Sequence, residues 1–132
     1  MKRPVDAAKI LAVKAEEDWT VAEVCLRERL PVSVLCFHCQ QAAEKLLKAY
    51  LTLLDMDFPW THDLQPLLRL AGLSAPHLDA FREPLEGFSG YAVRLRYDVD
   101  VSLSREEAAA AFETVGRLRA AIHALLPPEA RP

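Results

Sequence analysis

Between Leu35 and Asp55 apolar residues recur every three or four positions, the period of an α-helix at roughly 100° per residue. Leu35, Cys39, Ala42, Leu46, Ala49 and Leu53 share one face, with Cys36, Ala43, Leu47, Tyr50 and Leu54 beside them. His38, Gln41, Lys45, Lys48, Thr52 and Asp55 form the opposite stripe. A solvated helix face is usually rich in Glu, Lys and Arg. A row of one imidazole, one amide and two ammonium groups instead suits an anion or a polar partner.

The same period marks four further segments. The first runs from about Pro4 to Arg29, with Val5, Ala8, Leu11, Ala12, Ala15, Trp19, Ala22 and Leu26 on one face. Pro4 suits the first helical position, where its missing N–H has no partner to lose. Pro31 ends this helix or opens the next, which runs from about Val32 to Asp55. Residues 57–63 read as a loop. With Thr61 as N-cap, Pro66 would fall inside the third helix and clash with a carbonyl, so Asp63 is the expected cap. That helix buries Leu64, Leu67, Leu68 and Ala71 before Gly72. Ser74 is expected to cap a fourth helix carrying Leu78, Phe81, Leu85, Phe88, Ala92 and Leu95, broken or kinked at Pro84. After an extended linker over 96–102, Ser104 and Glu107 form a capping box. The last helix presents Ala108, Ala111, Phe112, Val115, Leu118, Ile122 and Leu125, and Pro127-Pro128 stops it. The pattern predicts one all-α domain over residues 1–132, an antiparallel up-and-down bundle of four to five helices.

Composition narrows the chemistry. At 132 residues, 52% hydrophobic and 27% charged, the chain fits an ordinary globular domain, and 4 Gly argue against a turn-dense β fold. A net charge of −3 gives no bulk attraction to nucleic acid, so phosphate binding must be local. The 3 Cys show no disulfide framework. On a helix His38 points roughly 200° away from Cys36, so Cys36, His38 and Cys39 cannot converge on one metal ion. The N-terminus shows no signal-peptide pattern and no apolar run approaches membrane-spanning length, so a cytoplasmic, membrane-free protein is expected.

Three blocks together resemble the HEPN domain: His38-Cys-Gln-Gln-Ala-Ala-Glu-Lys-Leu-Leu-Lys48, Thr61-His-Asp-Leu64, and Arg96-Tyr97 ahead of the last helix. The resemblance covers nearly the whole chain. It implies a four- to five-helix bundle that pairs as a homodimer, with a nucleotide as ligand or a minimal nucleotidyltransferase as partner, as in a toxin–antitoxin pair. Other branches of the family are metal-independent ribonuclease toxins carrying an Arg with a His about four to six residues further on. Here that motif is missing: Asp98, Val99 and Asp100 fill the window after Arg94, and Asp100, Val101 and Ser102 the one after Arg96.

The candidate nucleotide- or phosphate-binding residues are therefore His38, Gln41, Lys45, Lys48, His62, Arg96 and Tyr97. Set against this is a plain solvated stripe in which Glu44 pairs with Lys48 four residues on. Phe37 falls in the polar arc and is expected at a dimer contact. His62 either meets a phosphate or orders its own loop. Trp60 is expected to anchor that loop by packing, with stacking on a base as its other role. Arg96, with Tyr97, suits bidentate phosphate contact. His77 and His123 are expected at the surface or at helix ends. The expected function is non-catalytic, with no catalytic residues, no metal and no cofactor beyond a bound nucleotide. Two rivals stand beside it. One is a ribonuclease using Arg96 with Asp98, Asp100 or His62. The other is a purely structural interaction module.

Overall fold

The computed structural model describes residues 2–88 and 103–132, which form helices and turns with no strand among them. Helix α1 spans Pro4–Arg27 and opens on an Arg3–Asp6 clasp, in which the Asp6 carboxylate accepts from the Arg3 backbone N–H at 3.3 Å and from its Nε at 3.0 Å. Helix α2 spans Val32–Leu53, with Pro31 at its N-cap. Both helices stop slightly before the expected ends, and the reason is shared. Arg29 and Asp55 each take φ 55, the left-handed conformation that turns a chain out of a helix. The residue after each then donates back to the last turn, Leu30 to the Cys25 carbonyl at 2.9 Å and Met56 to that of Leu51 at 3.0 Å. Neither position is Gly, so the sequence does not advertise the stop.

Helix α3 spans Leu64–Gly72 and starts as expected, with the Asp63 carboxylate accepting from the Gln65 N–H at 3.1 Å. The next segment departs from expectation. Ser74 does not cap it; its hydroxyl meets Tyr50 Oη at 2.8 Å and the Ala71 carbonyl at 3.4 Å. Instead of one long helix, Pro76–Phe81 and Glu86–Phe88 form short 3₁₀ turns. Pro84 between them lacks the N–H that a continuous helix needs. Leu78 and Leu85 are still buried as the period requires. Ala92, Leu95 and the expected linker over 96–102 lie outside the described residues.

Helix α4 spans Arg105–Leu125 and carries the expected capping box, Ser104 Oγ accepting from the Glu107 N–H at 3.0 Å and Glu107 Oε1 from the Ser104 N–H at 3.2 Å. A final 3₁₀ turn, Pro128–Ala130, follows. Arg131 Nε then donates to the carbonyls of His123 (3.0 Å) and Leu126 (2.9 Å), which satisfies acceptors the helix end leaves open.

Helix α2 is the centre of this helical bundle, packed against α1, α3 and α4. Its Leu35, Leu46, Leu47 and Leu51 are fully buried, each contributing roughly 1.5–3 kcal/mol by leaving water. Small residues on α1 (Ala8, Ala12, Ala15, Ala22) let the two long helices approach closely. Helices α1 and α4 meet where Trp19 stacks on Phe112 at 4.1 Å between ring centres. Glu16 and Arg119 form a bidentate pair beside it, at 2.7 and 2.5 Å. No helix among the described residues is long and apolar enough to cross a membrane.

Candidate functional site

Two carboxylates organise the polar side of α2. Asp18 reaches from α1, where it sits on the buried face between Ala15 and Ala22. Its Oδ1 meets His38 Nδ1 at 2.8 Å and its Oδ2 meets Lys45 Nζ at 2.5 Å. One turn further along α2, Glu44 repeats the arrangement. Its Oε1 meets His62 Nδ1 at 3.0 Å and its Oε2 meets Lys48 Nζ at 3.0 Å. Each unit is a carboxylate gripping one imidazole and one ammonium group. The side chain of Glu44 is only 6% exposed. A carboxylate that deep persists in charged form only when both oxygens are satisfied, and here they are.

The pairing fixes the histidines. An ionised carboxylate only accepts, so each Nδ1 must carry the proton that it donates. In the neutral ring Nε2 is then left as an acceptor facing away from the carboxylate. For His62 that edge reaches solvent, since its side chain is 56% exposed. Each ammonium spends one N–H on its carboxylate and keeps two more for another acceptor.

The loop between α2 and α3 is pinned at the same place. Gln40, fully buried, donates through Nε2 to the His62 carbonyl at 2.9 Å. Thr61 Oγ1 accepts from the Asp63 N–H at 3.0 Å, and Asp63 caps α3. The other amide atom of Gln40, Oε1, is buried and has no partner among the described residues. Trp60 projects from this pinned loop at 93% exposure, with Lys48 Nζ 5.4 Å from its ring centre.

The structure thus joins Lys48 and His62 through Glu44, and His38 and Lys45 through Asp18. The expected Glu44–Lys48 pair is present. The plain solvated stripe set against the binding reading is not: Lys48 is buried, and His38, Gln41 and Lys45 are half-buried. Asp18 and the pinned loop pack over positions that periodicity alone assigns to solvent. Trp60 is also a correction, because a ring so exposed packs against nothing that anchors the loop. His62 does order its loop, through both its carbonyl and its ring. Phe37 is half-buried with its ring edge-on to His38 at 5.2 Å. Arg96 and Tyr97, with Asp98 and Asp100, lie outside the described residues. His77 is exposed, whereas His123, at the end of α4, is half-buried with Nε2 enclosed and without a partner among the described residues.

Sequence reasoning missed Asp18 and Gln40. Each carried a usable signal, a polar residue at a core position of its helix: Asp18 four before Ala22, Gln40 four after Cys36. Among the described residues no group of His, Cys, Asp or Glu could hold a metal ion. Burial pushes the thiol of Cys36 up to about 11 and that of Cys39 to about 12. Both stay protonated and are poor ligands and nucleophiles near neutral pH.

Compared with known families, residues 8–125 fit the family model described as the HEPN domain. No curated protein and no solved structure matches the chain.

Proposed function

The chain belongs to the HEPN domain family, and from that premise we propose that it is a non-catalytic module binding a nucleotide through its phosphate. It does so as a homodimer, in company with a minimal nucleotidyltransferase in a toxin–antitoxin-like pair. The observation that carries the ligand reading is the corner at the start of α3. There Lys48 spends one N–H on Glu44 among the described residues, His62 shows a polar ring edge to solvent, and Glu44 holds both in place. Lys45 and His38 extend the same surface one turn away, with Gln41 on the same helix. Arg96 and Tyr97 complete the proposed set by family analogy.

The charge balance suits a reversible site. Two carboxylates face two ammonium groups and two imidazoles, so each cation is already held by an anion and the surface carries little net charge. Phosphate then gains charge-assisted hydrogen bonds rather than meeting an unscreened cation cluster. The missing Arg–His ribonuclease motif supports the non-catalytic part. Isothermal titration with adenosine 5′-monophosphate tests the reading: affinity should fall about tenfold or more in Lys48→Ala and in His62→Ala, with folding checked by thermal melting. Unchanged affinity in both variants overturns it.

One observation favours a second reading, RNA cleavage. His62, with Nδ1 on a buried carboxylate and Nε2 outward, has the arrangement of a general base. An RNA cleavage assay on wild type and His62→Ala decides this, and no cleavage by wild type removes the reading.

A further inference from the structure

We propose that Trp60 is a stacking platform for the nucleobase, lying beside the phosphate-binding corner formed by Lys48 and His62. The proposal rests on the nucleotide reading above and adds to it which part of the ligand is read and by what.

The chain has 2 Trp, and the fold treats them oppositely. Trp19 is half-buried and stacked on Phe112. Trp60 stands 93% exposed. This is not the exposure of a loose loop, because the next three residues are each tied down. The Thr61 hydroxyl accepts from Asp63, the His62 carbonyl accepts from Gln40, and the His62 ring sits on Glu44. An indole is the largest apolar side chain, and its exposure forfeits the burial that normally stabilises it. A fixed loop that holds it in water is pre-organised to have that face covered by something else.

The neighbours indicate what covers it. Lys48 Nζ lies 5.4 Å from the ring centre, and the same ammonium group is bound to Glu44, which holds His62. Aromatic face, ammonium and imidazole edge therefore converge within one cluster. A nucleotide presents a flat π-system and an anion at the two ends of a ribose, and so matches both halves of this cluster. Stacking reads any base, but a purine covers more of the indole than a pyrimidine does. Gln40 acts here as a positioning residue, through the His62 carbonyl.

The test compares three probes by isothermal titration: adenosine 5′-monophosphate, cytidine 5′-monophosphate and ribose 5-phosphate. Each is titrated into wild type, Trp60→Phe and Trp60→Ala. Trp60 is exposed, so both variants should fold. The expected order in wild type is purine, then pyrimidine, then ribose 5-phosphate. Trp60→Ala should weaken adenosine 5′-monophosphate about tenfold or more, leave ribose 5-phosphate unchanged, and be partly rescued by Trp60→Phe. If ribose 5-phosphate binds as tightly as the nucleotides and Trp60→Ala changes nothing, the platform is overturned while the phosphate site stands. If no probe binds wild type, both readings fail. If Trp60→Ala alters only self-association, measured by light scattering on the same samples, the indole is a protein contact and the platform is overturned.

Discussion

Glu44 Oε1 and His62 Nδ1 meet at 3.0 Å across 18 residues of sequence, tying the centre of α2 to the loop that precedes α3. Because the other Glu44 oxygen holds Lys48, one nearly buried carboxylate sets the position of both groups proposed to meet phosphate. Asp18 does the same for His38 and Lys45. The site is therefore built by anions inside the protein.

The first expectation concerns that carboxylate. Glu44→Gln keeps the shape, but its amide cannot accept from both Lys48 and His62, and it leaves the buried ammonium unpaired. The cost should be about 3 kcal/mol in urea denaturation. His62→Ala removes a more exposed partner and should cost about 1 kcal/mol. Equal, small effects from the two would mean that Glu44 does not organise the corner.

Gly116 sits inside α4, where Ala would normally be favoured by about 1 kcal/mol. A Cβ there would stand 2.9 Å from Trp19 Cη2, and Trp19 is already committed to its stack on Phe112. Overpacking of this kind costs roughly 1–3 kcal/mol, so Gly116→Ala should be neutral to destabilising and Gly116→Val clearly worse. A rise in melting temperature for both would contradict the packing described.

Acid should weaken the α1–α4 contact in two separate windows. Burial, helped by the neighbouring Arg119, holds His123 below its ordinary value of 6.5. The unfolded chain therefore takes up that proton first, and stability falls as pH drops below about 6.5. Glu16 is held below its ordinary 4.5 chiefly by its hydrogen bonds to Arg119, so its contribution is present above that value and is lost below it. Urea melts from pH 8 to 3 should show both losses. His123→Gln should remove only the upper one, and Arg119→Met should shrink the lower one.

The thiols offer a check on the core. Cys25, Cys36 and Cys39 are buried and unbridged, and burial raises all three pKa values. The native protein at pH 8 should react negligibly with a thiol reagent, and all three should react in denaturant. Rapid native labelling of Cys39 would mean that α2 is not packed as described.

Much of this architecture was legible in the sequence because its signals are local. The Asp63 cap, the Ser104–Glu107 box and the apolar face of α4 each depend on residues within one or two turns. Periodicity also found the buried face of α2. The remainder depends on partners distant in sequence. Nothing local tells that Asp18 crosses to His38 and Lys45, or that Glu44 draws in His62, and so a polar stripe that periodicity sets opposite the core is largely covered. Ser74 failed as a cap because Tyr50, from another helix, takes its hydroxyl. Trp60 failed as an anchor because residue type predicts burial and only the pinned loop shows otherwise. The helices end at Arg27 and Leu53, two residues short of expectation, and the stops are not legible because the left-handed residues that turn the chain out, Arg29 and Asp55, are not Gly.

The central claim is that ligand meets the corner made by Lys48, Trp60 and His62. The most direct measurement is an amide, indole and imidazole NMR titration of the isotopically labelled protein with adenosine 5′-monophosphate. Saturable shifts concentrated at the Trp60 indole N–H, the His62 ring and residues 60–63, and lost in Glu44→Gln, are the expected result. Shifts confined to another surface, or none at millimolar nucleotide, would contradict the account.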